Sequence, residues 1–170
     1  MNPLLPADEA AVDGKLFRDA MSRIGAAVHV VTTDGPAGLA GATMTAVASV
    51  TDRPPTVLVC LNRGAGANAA IKANGLFCIS TLAAGDERIA ETFAGRGTLH
   101  GEDRFTLGTW SVLATGAPAL DGARAVLDCR LVEATEVGTH TVLFGEVVAA
   151  RLGGTGPALA YLDRGYRILA

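Results

Sequence analysis

The sequence has few aromatic residues and no run of positive charge, and each shortage excludes a class of protein. Phe, Trp and Tyr make up 5% of the 170 residues, and charged residues make up 18%. The 14 Lys and Arg are outnumbered by 17 Asp and Glu, which leaves a net charge of −3. Because nucleic acid binding needs side chains that neutralise phosphates, we predict no nucleic-acid partner.

Long apolar runs and targeting signals are missing too. No segment approaches the roughly 20 apolar residues needed to span a bilayer, so we expect no membrane association. The N-terminus carries Asp8 and Glu9 without Lys or Arg, which is unlike a signal peptide. These absences favour a cytoplasmic protein.

Cysteine is scarce, and its spacing excludes two uses. The three cysteines, Cys60, Cys78 and Cys129, are odd in number, far apart and set in apolar runs. We predict free thiols buried in strands, in a reducing compartment. A zinc site would need closely spaced Cys and His pairs, so no metal is expected.

Hydrophobic residues make up 49% of the chain, and Gly is frequent at 21 residues. We expect an N-terminal arm over 1–12 and one domain over 13–170. Helices are predicted over 15–24, 69–73 and 85–93, whereas the second half has long strand-like runs without helices between them. This pattern predicts a mainly β, antiparallel fold with a few helices.

A glycine-rich segment follows the apolar run 56–61. Gly64, Gly66 and Ala69 match a dinucleotide-binding fingerprint, and Asp86 lies at a suitable distance beyond. The helix there is short and no further βα units follow, which disfavours a Rossmann domain. A glycine-rich loop that enters a helix binds phosphate on any fold, so 62–68 is a candidate phosphate site, with a plain flexible loop as the alternative.

The segment 41–50 alternates small and hydroxyl side chains. In a bent strand, its hydroxyls and backbone N–H groups can hydrogen-bond the edge of a planar ring. Thr is also common in strands for its β-propensity alone, so the pattern by itself leaves both interpretations open.

Five segments, in order along nearly the whole chain, are typical of one family. They are FRDAMSRIGAAVHVVTTDGPAGLAGATMTAVASVTDRPPTVLVCLNR at 17–63, FCISTL at 77–82, ETFAG at 91–95, GTHTVLFGEV at 138–147 and YLDRGYRIL at 161–169. Together they resemble the short-chain flavin reductase family, the reductase partners of two-component flavin monooxygenases, especially its pyrimidine-degradation and 4-hydroxyphenylacetate hydroxylase branches.

The resemblance implies a six-stranded antiparallel FMN-binding split barrel of Greek-key topology, assembled as a homodimer. It implies FMN or FAD, with NADH or NADPH as the source of a hydride that passes from nicotinamide C4 to flavin N5. The reduced flavin would go to a partner monooxygenase. Two alternatives stay open: a reductase of a cobalt corrin that retains its flavin, and a flavin-binding module without turnover.

The resemblance also implies site residues. Those expected along the flavin ring are Gly41, Ala42, Thr43, Met44, Thr45, Ala46 and Ser49. Those expected along the ribityl chain and phosphate are Cys60, Leu61, Asn62, Arg63, Gly64 and Asn68. Ser80 and Thr81 are expected nearby, Phe93 over the ring, and His140 beside the nicotinamide as the catalytic residue.

This chain departs from the family at the phosphate loop. Family members often carry Ser or Thr after the Asn-Arg pair, where this chain has Gly64-Ala65-Gly66-Ala67. Backbone N–H groups and Asn68 are therefore expected to bind the phosphate. Glu133 and Glu136 lie three residues apart in a predicted strand, so they are expected to face opposite sides and to form no acid–base pair.

Overall fold

A computed structural model describes residues 12–170, so the predicted arm, apart from Val12, lies outside the described residues. Within this range the chain forms three α-helices, a 3-10 helix and twelve strands. In chain order they are α1 Gly14–Ser22, β1 Ala26–Ala27, β2 His29–Thr33, β3 Ala40–Met44, β4 Val47–Asp52, β5 Pro55–Asn62, α2 Gly66–Asn74, β6 Leu76–Thr81, α3 Glu87–Phe93, the 3-10 helix Gly101–Thr106, β7 Trp110–Val112, β8 Pro118–Leu120, β9 Ala125–Val137, β10 His140–Leu152, β11 Ala158–Leu162 and β12 Gly165–Leu169.

All described strand pairs are antiparallel, as predicted. The main sheet has the order β3-β2-β6-β9-β10-β5-β4, and smaller sheets are formed by β1-β11-β12 and by β7-β8. The strands that flank α2, β5 and β6, are not neighbours in the sheet. The Rossmann alternative is therefore wrong, because a βαβ unit places its two strands in parallel within one sheet.

The main sheet has seven described strands and an open hydrogen-bonded order, where the resemblance implied six strands in a barrel. Its two edge strands, β3 and β4, are consecutive in the chain and are separated only by Thr45 and Ala46. The segment 39–51, whose composition favours either one long strand or a strand with a bend, is divided at Thr45 and Ala46, and its two parts lie at opposite edges of the sheet. The sheet must curve so that its edges approach each other at this bend.

Two hydrophobic clusters lie on the two faces of the sheet. Val59, Leu61, Phe77 and Leu143 belong to the inner cluster, which α2 covers through Ile71. The outer cluster packs β2 and β6 against α3, the β7-β8 pair and β11. Since side chains alternate along a strand, β5 directs its odd-numbered residues inward and leaves Leu58 and Cys60 half-buried on the other face.

The helices begin and end close to their predicted limits. The Asp13 carboxylate accepts from Leu16 N (3.2 Å) and caps α1, which ends at Ser22 before the predicted stop at Gly25. α2 starts three residues earlier than predicted, at Gly66, and its C-cap Gly75 has φ 72°. In the described range, no helix is long and apolar enough to cross a membrane.

All three cysteines are free thiols, as predicted; Cys78 and Cys129 are buried, whereas Cys60 is only half-buried. Burial raises the pKa of the Cys129 thiol to about 12, and it also raises the pKa of Cys78. Over residues 12–170, no three His, Cys, Asp or Glu side chains come together in a group that would hold a metal ion.

Candidate functional site

The bend between β3 and β4 is the centre of the candidate site. Val47 N donates to Thr45 O (2.9 Å), and Cys60 N donates to Ala46 O (3.0 Å). These bonds fix the bend against the end of β5. Beyond the pairing with β2, the outer edge of β3 has no strand partner in the described part of the chain, so its backbone groups are available to a ligand.

A cleft of about 220 Å³ opens beside β3. It is lined by Val28, Thr43, Met44, Thr45, Ala94, Arg96, Tyr161 and Tyr166. The two tyrosine rings meet edge to face at 5.5 Å, and burial raises the pKa of Tyr166. The cleft therefore combines aromatic walls, a guanidinium and hydroxyl groups.

A second cleft of about 500 Å³ lies on the other side of the bend. It is lined by Arg18, Met21, Ser22, Ile24, Ala26, Thr45, Ala46, Tyr161 and Arg164. Thr45 and Tyr161 line both clefts, so the two clefts adjoin at the bend, and we refer to them together as the depression over the bend. Three arginines line this depression; Arg164 is paired with Asp19, so Arg18 and Arg96 provide the positive charge suited to an anionic ligand.

The β11–β12 turn forms one wall of the depression. Asp163 and Arg164 have positive φ values of 50° and 58°, unusual for residues other than glycine. Asp163 N donates to Ser22 O (2.7 Å), and Arg164 pairs with Asp19 of α1. The bond from Arg164 lowers the pKa of the Asp19 carboxyl. α1 therefore holds this strained turn in place.

The seven residues predicted along the ring divide into four groups. Gly41 packs under Phe93, and a Cβ at that position would lie 2.8 Å from the Phe93 ring. Ala42 and Met44 pack against the inner cluster. Thr43 and Thr45 line the cleft, whereas Ala46 and Ser49 are exposed. The hydroxyl of Thr43 donates to Ala90 O (2.7 Å), so it can only accept from a ligand.

Three predicted contacts are turned into the protein. Ser80 is fully buried, and its hydroxyl accepts from Leu120 N (3.0 Å). Thr81 Oγ1 lies 3.0 Å from His29 Nδ1. Phe93 is only 2% exposed and packs against Phe105 and Trp110. These positions support the site from beneath, so Phe93 supports β3 through Gly41 instead of lying over an open ring site.

His29 belongs to the same supporting layer. It pairs across the sheet with Met44 on one side and Thr81 on the other. Burial lowers the pKa of its imidazole to about 4, so the ring is neutral at physiological pH.

The loop after β5 is the predicted phosphate region. Asn62 Oδ1 accepts from Gly64 N (2.7 Å), and α2 begins at Gly66 without a side-chain cap in the described residues. Asn68 is only 1% exposed, and its amide donates to Leu61 O (3.1 Å) and Thr141 Oγ1 (3.0 Å). The amide of Asn68 thus holds α2 against β5 and β10, and the expectation that it binds phosphate is not supported.

The remaining members lie around this loop. Cys60 and Leu61 are on β5, where Leu61 points into the inner cluster. His140 pairs with Asn62 at the start of β10 and is exposed. Its Nδ1 lies 2.9 Å from Thr139 Oγ1. The bend, the loop and His140 therefore share one end of the sheet.

Sequence reasoning missed Arg96, Tyr161 and Tyr166 as lining residues. Arg96 follows α3, and the tyrosines belong to the YLDRGYRIL segment, which was recognised without a role for its side chains. Their meeting with β3 depends on long-range packing. The repeated tyrosines around a turn were the only local feature that pointed to a shared surface.

Comparison with known proteins agrees with this geometry. The flavin reductase like domain model matches residues 21–170. The chain is 52% identical over 164 residues to FMN reductase (NADH) RutF of Ancylobacter novellus, covering 96% of this chain and 90% of that one.

Solved structures give the same result. BorF, the flavin reductase component of a bacterial two-component tryptophan halogenase, superposes with a TM-score of 0.85 at 30% identity, covering 92% of this chain and 98% of BorF. SgcE6 of Streptomyces globisporus C-1027, an NADH:FAD oxidoreductase solved with NAD and FAD fragments, gives 0.84 at 31% identity, covering 93% of each chain. This chain belongs to the flavin reductase like domain family.

Proposed function

We propose that this chain is an NADH-dependent FMN reductase that supplies reduced flavin to a partner monooxygenase. The observation that carries the proposal is the depression over the bend, where Thr43 and Thr45, predicted as ring contacts, line one cleft with Arg96 and Tyr161. The relatives are reductases of this kind: one is named an FMN reductase (NADH), and another is a component of a two-component halogenase.

The residues of the depression fit a flavin. Tyr161 and Val28 offer flat apolar walls, and the unpaired edge of β3 offers backbone N–H groups to a polar ring edge. Bound FMN would supply the ring whose N5 accepts a hydride from nicotinamide C4. The chain contributes positioning, exclusion of water and positive charge, which Arg96 provides beside β3 and Arg63 provides at the loop.

The finer fold prediction belongs to this proposal. When β3 and β4 are counted as one strand bent at Thr45 and Ala46, the main sheet has six strands. With its edges joined at the bend, such a sheet would be the split barrel that the resemblance implies. In that geometry the bend lies at the split, where an open edge of backbone meets the ring.

A homodimer is the proposed assembly. The apolar face of α1 is exposed in the single chain, with Phe17 57% and Met21 48% exposed. Val50 on the edge strand β4 is exposed as well. A second copy of this chain would bury these surfaces next to the depression. Light scattering on the purified protein measures the assembly directly.

Steady-state NADH oxidation with FMN, with FAD or without added flavin tests the function. We expect the rate to rise and saturate with FMN, and FAD and NADPH measure the specificity. If the purified protein is yellow and its rate of NADH oxidation does not change with added flavin, a retained flavin and an acceptor such as a cobalt corrin are favoured. If NADH is not oxidised under any condition, the reductase proposal is wrong and a flavin-binding module remains.

A further inference from the structure

The loop after β5 holds its charges in a small exposed cluster. Glu136 lies near the end of β9. One of its carboxylate oxygens is 3.0 Å from Arg63 Nε, and the other is 3.0 Å from Lys72 Nζ. Arg63 also donates to Gly138 O (3.3 Å). The guanidinium is therefore held on the β9–β10 turn. The hydrogen bond from Lys72 and the charge of Arg63 lower the pKa of Glu136, which is ionised at neutral pH.

Few other side chains of this loop are available to a phosphate. The Asn68 amide is buried in bonds to Leu61 and Thr141, and Asn62 Oδ1 accepts from Gly64 N. No hydroxyl stands in the segment 63–67. Asn68 N donates to Ala65 O (2.9 Å), so the groups left among the described residues of the loop are the Arg63 guanidinium and the N–H groups of Gly66 and Ala67 at the uncapped start of α2.

A phosphate at this loop would compete with Glu136 for Arg63. We propose that Glu136 is a positioning residue that weakens FMN binding by holding Arg63 away from the flavin phosphate. This inference rests on the proposed function, since it assigns the phosphate end of the same site.

Such a restraint suits an enzyme whose product must leave. A reductase that supplies free reduced flavin has to release the flavin in each cycle, and a tightly held phosphate would slow this step. Glu136 lowers affinity through the part of FMN that does not react. Ring contacts at the bend are unaffected.

The test compares FMN with riboflavin, which has the same ring and lacks the phosphate. In Glu136→Gln, we expect FMN to bind about threefold to tenfold more tightly at low salt, with riboflavin affinity unchanged. The gain should shrink as salt screens the charges. Binding is measured by quenching of flavin fluorescence, and the KM for FMN should fall in parallel.

Two further variants separate this role from a structural one. In Arg63→Gln, FMN affinity should fall towards that of riboflavin, and adding Glu136→Gln should then restore nothing, as a double-mutant cycle measures. Lys72→Gln breaks the other half of the cluster and keeps the Arg63–Glu136 pair, so it should not raise FMN affinity.

Equal shifts for FMN and riboflavin in Glu136→Gln, or no shift in either, would overturn the inference and leave the reductase proposal intact. A gain that persists without Arg63 would overturn it too. If the native protein binds neither flavin, the proposed function itself fails, and the inference fails with it.

Discussion

Gly41 and Thr43 in β3 are held by buried contacts, whereas Arg63 in the loop after β5 is held by exposed ion pairs. Gly41 lies directly under the Phe93 ring, and Thr43 donates to the backbone of α3. Arg63 is 52% exposed and shares Glu136 with Lys72. The proposed ring site is therefore rigid, and the proposed phosphate site can be adjusted by charge alone. A surface ion pair contributes little to stability, so the loop can change affinity without endangering the fold.

The largest effect should come from crowding the rigid part. Gly41→Val places methyl groups where a Cβ alone would lie 2.8 Å from the Phe93 ring. We expect a loss of about 2 to 3 kcal/mol in the free energy of unfolding, because overpacking forces β3 and α3 apart. Urea denaturation measures it. The matched change in the loop, Gly64→Ala, meets only Asn62 Oδ1 at 3.2 Å and should cost far less. Equal losses at both positions would contradict the contrast between rigid and adjustable parts.

The supporting layer should also respond to pH through His29. Its pKa is about 4 in the folded protein and 6.5 in the unfolded chain, because burial disfavours the charged ring. A depressed pKa gives stability that is present above 6.5 and is lost as the pH falls towards 4. We expect a loss of about 2 kcal/mol between pH 7 and pH 5.

Urea denaturation over that pH range, compared with His29→Gln, isolates this effect. The variant should show a flatter profile, although its stability at pH 7 is lower. An unchanged slope would mean that His29 is not the group that titrates.

His140 is exposed, and its proposed role beside the nicotinamide can be tested by substitution. It stands at the start of β10, where its side chain is exposed and its Nδ1 lies 2.9 Å from Thr139 Oγ1. If it positions the nicotinamide, His140→Asn should lower kcat/KM for NADH about tenfold, a loss of about 1.4 kcal/mol. Flavin affinity and the denaturation midpoint should not change.

His100 serves as the control for that variant, since it is exposed in the segment before the 3-10 helix. His100→Asn should change kcat/KM by no more than about twofold. If both histidine variants behave alike, the assignment of His140 is wrong.

Local sequence patterns predicted more of the fold than of the candidate site. Strand-like runs without intervening helices in the second half predicted antiparallel strands, and the recognised segments extended this to a family. The sequence could not show that Asn68 would be buried by Thr141, 73 positions away. Nor could it show Glu136 beside Arg63, because the two residues are far apart in the sequence. Contacts between distant segments depend on the register of β9, β10 and β5, which no local pattern specifies.

The smallest expected effect separates the two threonines of the bend. Thr43→Val removes a donor to Ala90 O and should cost about 1 kcal/mol of stability. Thr45 lines both clefts, and no side-chain hydrogen bond of its hydroxyl is found among the described residues. Thr45→Val should therefore leave the unfolding midpoint unchanged and raise KM for FMN. Denaturation and steady-state kinetics on both variants measure the split. If Thr45→Val destabilises the protein as much as Thr43→Val does, the bend is part of the rigid support and Thr45 is not a ligand contact.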